Sequence, residues 1–411
     1  MPGVIPAINA HTRSVRNGRE WAPAVEPRLQ ARILLRAAQR MEAKGKTKAA
    51  VGLVACVVAL AALAWPGGAS GAKWVVKGRG WGHGVGMSQY GAYGLARHGR
   101  GYRKILHHYY QHTRIGHAGG QTIKVLLGSG SDSVSFRKAT KACGKRLRRR
   151  RGYRFKRSGS DVILRLAHRG QIANCGGTGT ATGGGTIQIG DKGVYRGKLK
   201  AKISDSGLLV INPVGLEAYV KGVVPNEVPS SWPPAALRAQ AVVARSYALA
   251  TSGGGDFDVY DDTRSQVYGG KGSETERTNK AAKRTRGLVV RYGNQVATTY
   301  FFSTSGGQTE SIQYGFPGAD PVGYLKSVRD PYDGASPFHT WKVHYSQSEI
   351  ESRLSGLFSG RLRNIRVLKR GDSPRIVSAR VVGSQGSSKV SGPGLEGLLD
   401  LRSTWARFLK R

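Results

Sequence analysis

Asn212-Pro-Val-Gly-Leu-Glu-Ala-Tyr-Val-Lys-Gly-Val-Val-Pro-Asn-Glu-Val-Pro-Ser-Ser-Trp-Pro233 runs directly into Pro234-Ala-Ala-Leu-Arg-Ala-Gln-Ala-Val-Val-Ala-Arg-Ser-Tyr-Ala-Leu249. The second half is apolar or small on nearly every face, which predicts a helix buried in the core of a larger domain. Ser230 or Ser231 suits its N-cap, Pro233 and Pro234 its first turn, and Gly253 its exit. Gln240 and Arg245 are then polar groups inside a buried element, and they either satisfy buried backbone or line a site. In the first half, Glu227 lies between Val223-Val224-Pro225 and Val228-Pro229, with Trp232 beyond. Poor solvation there favours the neutral carboxyl, the setting of a general acid. The flanking prolines stiffen the backbone around it. The other reading of Glu227 is a loop carboxylate in water or a cap for the helix that follows.

Working outward, Thr122 to Leu209 carries short alternating apolar runs broken by Gly and Ser, the signal of β-hairpins. The run 176–185 reads as a flexible glycine-rich hairpin, since no strand–GK[ST]–helix frame surrounds it. Asp256, Asp258, Asp261 and Asp262 read as a turn leading to Gln266 and Tyr268. Leu288–Tyr292 and Gln295–Phe302 predict a hairpin over Gly293-Asn294. Its second strand delivers Ser303-Thr-Ser-Gly-Gly, where Ser303, Ser305 and Gly306 are expected to offer polar and backbone N–H groups to a ligand. Ser88 suits the cap of a helix ending near Gly99. The expected architecture is α+β, with β-hairpins around a buried helix and a β-rich subdomain.

Four motifs resemble the stage II sporulation protein D family (SpoIID/LytB domain) of bacterial cell-wall proteins. They are Asn212–Leu249, Phe257-Asp-Val-Tyr-Asp-Asp-Thr-Arg-Ser-Gln-Val-Tyr-Gly269, Tyr300-Phe-Phe-Ser-Thr-Ser-Gly-Gly-Gln-Thr-Glu310 and Gly78-Arg-Gly-Trp-Gly-His-Gly-Val-Gly-Met87. The match runs from about residue 74 to the end. The resemblance implies a peptidoglycan lytic transglycosylase with Glu227 as its acid, acting on peptide-stripped glycan, with His83 and Gln89 lining the glycan cleft. Its LytB branch implies instead a wall-binding enhancer of an amidase. Some members carry a zinc-binding Cys/His insertion that has no counterpart here, so neither metal nor cofactor is expected. In the family the Gly-His-Gly motif follows the segment resembling Asp400-Leu-Arg-Ser-Thr-Trp405, whereas here it comes first. A circular permutation that joins residue 411 to residue 74 restores the family order.

Glu227 is the one acid in a suitable setting, and two-carboxylate hydrolysis needs a second. No G-x-S-x-G elbow supports a serine hydrolase. Sixty-five Lys and Arg against 24 Asp and Glu, a formal charge of +41, call for a polyanionic partner: wall polymers or a membrane surface. Nucleic acid is not expected, because no zinc-finger, RNP or helix-turn-helix pattern is present. Ala49–Trp65 is apolar, with lysines before it and small residues after it, so 49–72 reads as a signal peptide or a membrane anchor. Residues 1–48 read as a disordered basic extension or a mis-assigned start. The expected segments are then 73–120 with the Gly-His-Gly motif, 121–210 as the β-rich subdomain, and 211–411 as the core and C-terminal strands. The location is outside the cytoplasm, and there Cys143 and Cys175 can form a disulfide.

Overall fold

The strand Lys73–Arg79, which opens the glycine-rich motif, is the middle of a three-stranded antiparallel sheet between Thr340–Ser346 and Ala406–Lys410. Its alternation buries Trp74 and Val76 against Trp341, Tyr345 and Leu401. Lys73 and Arg411 exchange two backbone hydrogen bonds of 2.9 and 2.8 Å. The computed structural model describes residues 73–167 and 169–411, within one compact unit from Ala72 to Arg411. The segments 1–48 and 49–72 lie outside the described residues. Among the described residues no helix is long and apolar enough to cross a membrane.

The expected β-rich segment forms an 11-stranded sheet, antiparallel except where Val259–Tyr260 pairs parallel with Thr122–Ser131. The glycine-rich run 176–185 is no flexible hairpin. It belongs to the strand Thr178–Ile189, paired along Gly193–Ser204, with a bulge between Thr182 and Thr186. Missing side chains are the reason: a Cβ on Gly179 would lie 2.8 Å from the Phe155 ring, so glycine there lets the ring pack onto the backbone. The disulfide Cys143–Cys175 ties the Lys141–Arg146 hairpin to the segment just before this strand. Closing a loop of this size stabilises by about 3 kcal/mol. Cys143→Ala with Cys175→Ala is therefore expected to lower the free energy of unfolding by that much, read from the shift in denaturation midpoint. Equal midpoints for the double variant and the parent would show that the cross-link carries no stability.

Five helices matter for the site: α1 (Gln89–Arg97), α2 (Tyr102–Tyr109), α3 (Leu216–Glu227), α4 (Pro234–Thr251) and α5 (Glu276–Arg284). α4 is apolar all round because it lies between two cores. Ala241, Ala244 and Ala248 pack with Val220, Val224 and the sheet residue Leu199. Ala239, Val242 and Val243 pack with Met87, Leu106, Tyr110 and Val290. Its N-cap is Pro233 rather than Ser230 or Ser231, and its C-cap is Ser252 rather than Gly253. The prolines that read as a stiff frame around Glu227 hide a helix. Pro225 lies in the last turn of α3, and the helix ends two residues later, where Val228 turns extended. The hairpin after Leu288 is short: the pairs are Arg291–Val296 and Tyr292–Gln295, and Phe301–Phe302 leaves to pair parallel with Met87–Ser88.

Candidate functional site

Glu227 is the last residue of α3, half-buried, where the helix stops and the backbone swings away. Two other elements converge on it. α1 supplies Gln89, whose Nε2 donates to the Glu227 carbonyl at 3.2 Å. The loop after Val259–Tyr260 supplies the Val267 backbone N–H, which donates to Glu227 Oε1 at 2.7 Å. That N–H fixes the carboxyl in one orientation.

The loop is fixed from behind. Gln266 and Tyr268, either side of Val267, are both buried. Tyr219 of α3 donates its hydroxyl to Gln266 Oε1 at 3.0 Å. Tyr268 donates to Asn212 Oδ1 at 2.9 Å, and Asn212 Nδ2 donates to the carbonyls of Arg196 and Lys198. These two expected substrate contacts thus hold the residue that grips Glu227.

Tyrosines surround the carboxyl. Burial drives the Tyr219 phenol well above its usual range, and the Glu227 charge adds to the effect. Burial likewise pushes Tyr247 up to about 12, with Tyr300 and Glu227 contributing and Ser265 opposing. Both phenols stay protonated at neutral pH as hydroxyl donors near the acid. Asp261 in the same loop is raised to about 6 by burial, against the pull of Lys192 and with Asp262 and Arg264 acting on it. Tyr90 and Tyr93 of α1 edge Trp232, with ring centroids 5.1 and 4.9 Å away. Tyr219, Tyr247, Tyr90, Tyr93 and Val267 did not emerge from sequence reasoning. The one signal was the i, i+4 spacing of Gln89 and Tyr93 on a helix.

Other expected site residues do structural work instead. Arg245, fully buried in α4, grips Glu217 with two bonds of 2.8 and 2.9 Å and donates to the carbonyls of Ala241, Ala282 and Leu288. Of its two readings, satisfaction of buried groups holds. Gln240 is buried too, and neither of its side-chain polar atoms hydrogen-bonds to a described residue. His83 is engaged at both ring nitrogens: Val85 N–H donates to Nδ1 at 3.0 Å, so Nε2–H donates to the Phe301 carbonyl at 3.1 Å. Burial among Tyr300, Phe302 and Phe316 lowers its pKa to about 4, and the Phe301 bond opposes that drop. A neutral imidazole spent on backbone braces the glycine-rich loop and has no nitrogen left for a glycan.

The Ser303–Gly307 tip is likewise turned inward. Thr304 N–H bonds to the Trp81 carbonyl, Ser305 N–H to Ser88 Oγ, Gly306 N–H to Asp333 Oδ2, and Gly307 N–H to Ser305 Oγ. Ser305 Oγ donates to Asp333, and Ser303 Oγ lies 3.1 Å from Thr304 Oγ1. The expected row of donors for a sugar is consumed inside the domain. Asp256 and Asp258 are ion-paired with Lys202 and Lys124.

Residues 204–292, which carry α3, α4, the gripping loop and α5, match the SpoIID family model, described as stage II sporulation protein. This segment is a domain of the SpoIID family. It is 37% identical over 165 residues to an uncharacterized protein of Brachyspira hyodysenteriae, covering 39% of this chain and 44% of that protein. It is 37% identical over 134 residues to the amidase enhancer of Bacillus subtilis, covering 33% of this chain and 18% of the relative. It is 31% identical over 218 residues to stage II sporulation protein D of Bacillus amyloliquefaciens, covering 48% and 62%. The chain therefore spans between 18% and 62% of the length of these relatives.

Proposed function

We propose that this protein is a peptidoglycan lytic transglycosylase that cleaves MurNAc–GlcNAc bonds in peptide-stripped glycan to 1,6-anhydromuramoyl ends. The observation that carries this reading is a carboxyl gripped at Oε1 by Val267 N–H, near the phenols of Tyr219 and Tyr247, on the segment that matches the family. Glu227 donates its proton to the bridging oxygen as the bond from the anomeric carbon to that oxygen breaks. The muramoyl 6-hydroxyl then attacks the same carbon and returns its proton to Glu227. The substrate supplies the nucleophile, so no water and no second carboxylate enter the chemistry.

In this reading the protein works outside the cytoplasm on the cell wall. The exposed arginines 148–151 add to a charge suited to anionic wall polymers or a membrane surface. The Gly-His-Gly segment has moved to the front by circular permutation, which the Lys73–Arg411 hydrogen bonds make sterically simple.

A second reading follows from the name of the Bacillus subtilis relative: a non-catalytic enhancer of a wall amidase. Mass spectrometry of peptide-stripped glycan and intact sacculi after incubation with the full chain separates the two. Anhydromuramoyl ends are expected. Reducing ends would mean hydrolysis, and wall binding without cleavage would favour the enhancer.

A further inference from the structure

α1 carries a feature that the chemistry at Glu227 does not use. Gln89, Tyr93 and Arg97 are spaced four apart and share one face of the helix, over about 12 Å of axis. Gln89 reaches the Glu227 carbonyl, Tyr93 packs on Trp232, and the Arg97 guanidinium lies 5.9 Å from the Tyr93 ring centroid. Beyond Tyr93 opens a cleft of about 500 Å³, lined by Tyr93, Arg97, His98 and Tyr332, with Gly94 among its walls. Two glycines shape it. A Cβ on Gly94 would lie 1.9 Å from the Tyr332 carbonyl oxygen, and one on Gly91 would lie 2.2 Å from Asp330 Oδ2. The segment 330–332 therefore rests directly on the helix backbone and presents the Tyr332 ring, 36% exposed, beside the helix. The His98 ring packs on Tyr332 at 4.5 Å while its Nδ1 bonds to the Gly94 carbonyl. Arg97 is exposed, and among the described residues no carboxylate pairs with it.

We propose that this cleft is an outlying saccharide subsite for a sugar residue that bears a free carboxylate. Tyr93 and Tyr332 pack against the apolar faces of the sugar, and Arg97, with His98 beside it, pairs with the carboxylate. The assignment rests on the glycan reading of Glu227: one helix face leads from the acid to the cleft, so a strand lying along α1 occupies both. An aromatic wall with a few convergent polar groups is the usual make-up of a small-molecule site. Arginine's planar fork matches a carboxylate with two parallel hydrogen bonds.

The test is calorimetric titration of the full chain with peptide-free muramoyl–glucosaminyl oligosaccharides, and with the same oligosaccharides after reduction of their carboxylates to alcohols. The acidic form is expected to bind about tenfold tighter, the usual scale of a charge-assisted hydrogen bond. Arg97→Gln is expected to erase that difference, and Tyr332→Ala to weaken both ligands. These side chains are exposed, so melting temperatures measured alongside are expected to hold. Equal binding of the two forms by the native chain, or a preference that survives Arg97→Gln, would overturn the carboxylate assignment. Unchanged binding in Tyr332→Ala would remove the cleft from the site. With Glu227→Gln as the titrated background, binding is read without cleavage, so a preference for the acidic ligand there, beside a native chain that cleaves nothing, sinks the Glu227 chemistry and leaves the subsite standing.

Discussion

Glu227→Gln is expected to reduce glycan cleavage by about 10²–10⁴-fold, the span that a general acid contributes, with the fold intact. The substitution keeps an oxygen at the end of the side chain, so the Val267 N–H still finds an acceptor where Oε1 stood, 2.7 Å away. The Gln89 bond goes to the main-chain carbonyl and does not change. What is lost is the exchangeable proton. An amide can neither protonate the bridging oxygen nor take the proton of the 6-hydroxyl. Release of anhydromuramoyl ends per enzyme, compared at equal melting temperature, is the measurement. A variant that retains a tenth or more of the native rate would take the acid's role away from Glu227.

Arg245→Met is expected to cost about 3–5 kcal/mol, the range for breaking a buried ion pair by removing one partner. Arg245 is fully enclosed, and its donors serve both oxygens of Glu217 and three main-chain carbonyls from α4, α5 and the strand Leu288–Tyr292. Methionine fills much of the volume but leaves those acceptors without their donor. For a domain of this size the melting temperature should fall by roughly 4–7 °C. Arg245→Met combined with Glu217→Leu should lose less than Arg245→Met alone, because the stranded carboxylate leaves as well. A fall of less than about 1–2 °C in the single variant, within the shift expected from about 1 kcal/mol, would show that the carbonyls are readily satisfied by water.

The buried helix α4 was legible because its apolar residues cover every face, and helical periodicity survives without knowledge of the partners. Glu227 stood out because its neighbours are Val, Pro and Trp. What could not be read was the direction of the polar groups. His83 sits among glycines that seem open in sequence, yet the carbonyl it serves belongs to Phe301, 218 residues away. Ser305 and Gly306 look like a donor tip until Asp333 is placed beneath them. Gln266 and Tyr268 were expected to face the ligand. In fact the alternation of an extended segment sends both inward and leaves Val267 between them to present its N–H. The glycine-rich first part of the strand Thr178–Ile189 was missed for another reason: its glycines supply none of the branched or aromatic side chains that mark a strand. Helix α3 was hidden by Pro225 in its last turn, a position where proline argues against a helix, and by Pro229 just past its end.

The pairing of Lys73 with Arg411 has a mechanical consequence. A load that draws residues 73 and 411 apart pulls across the ladder at its last rung, so the hydrogen bonds open one pair at a time and resist weakly. A load applied through residue 73 alone, with the body of the domain held elsewhere, runs along the strand. It must then shear the contacts to Thr340–Ser346 and Ala406–Lys410 together. The same strand is therefore soft in one direction of pull and stiff in the other.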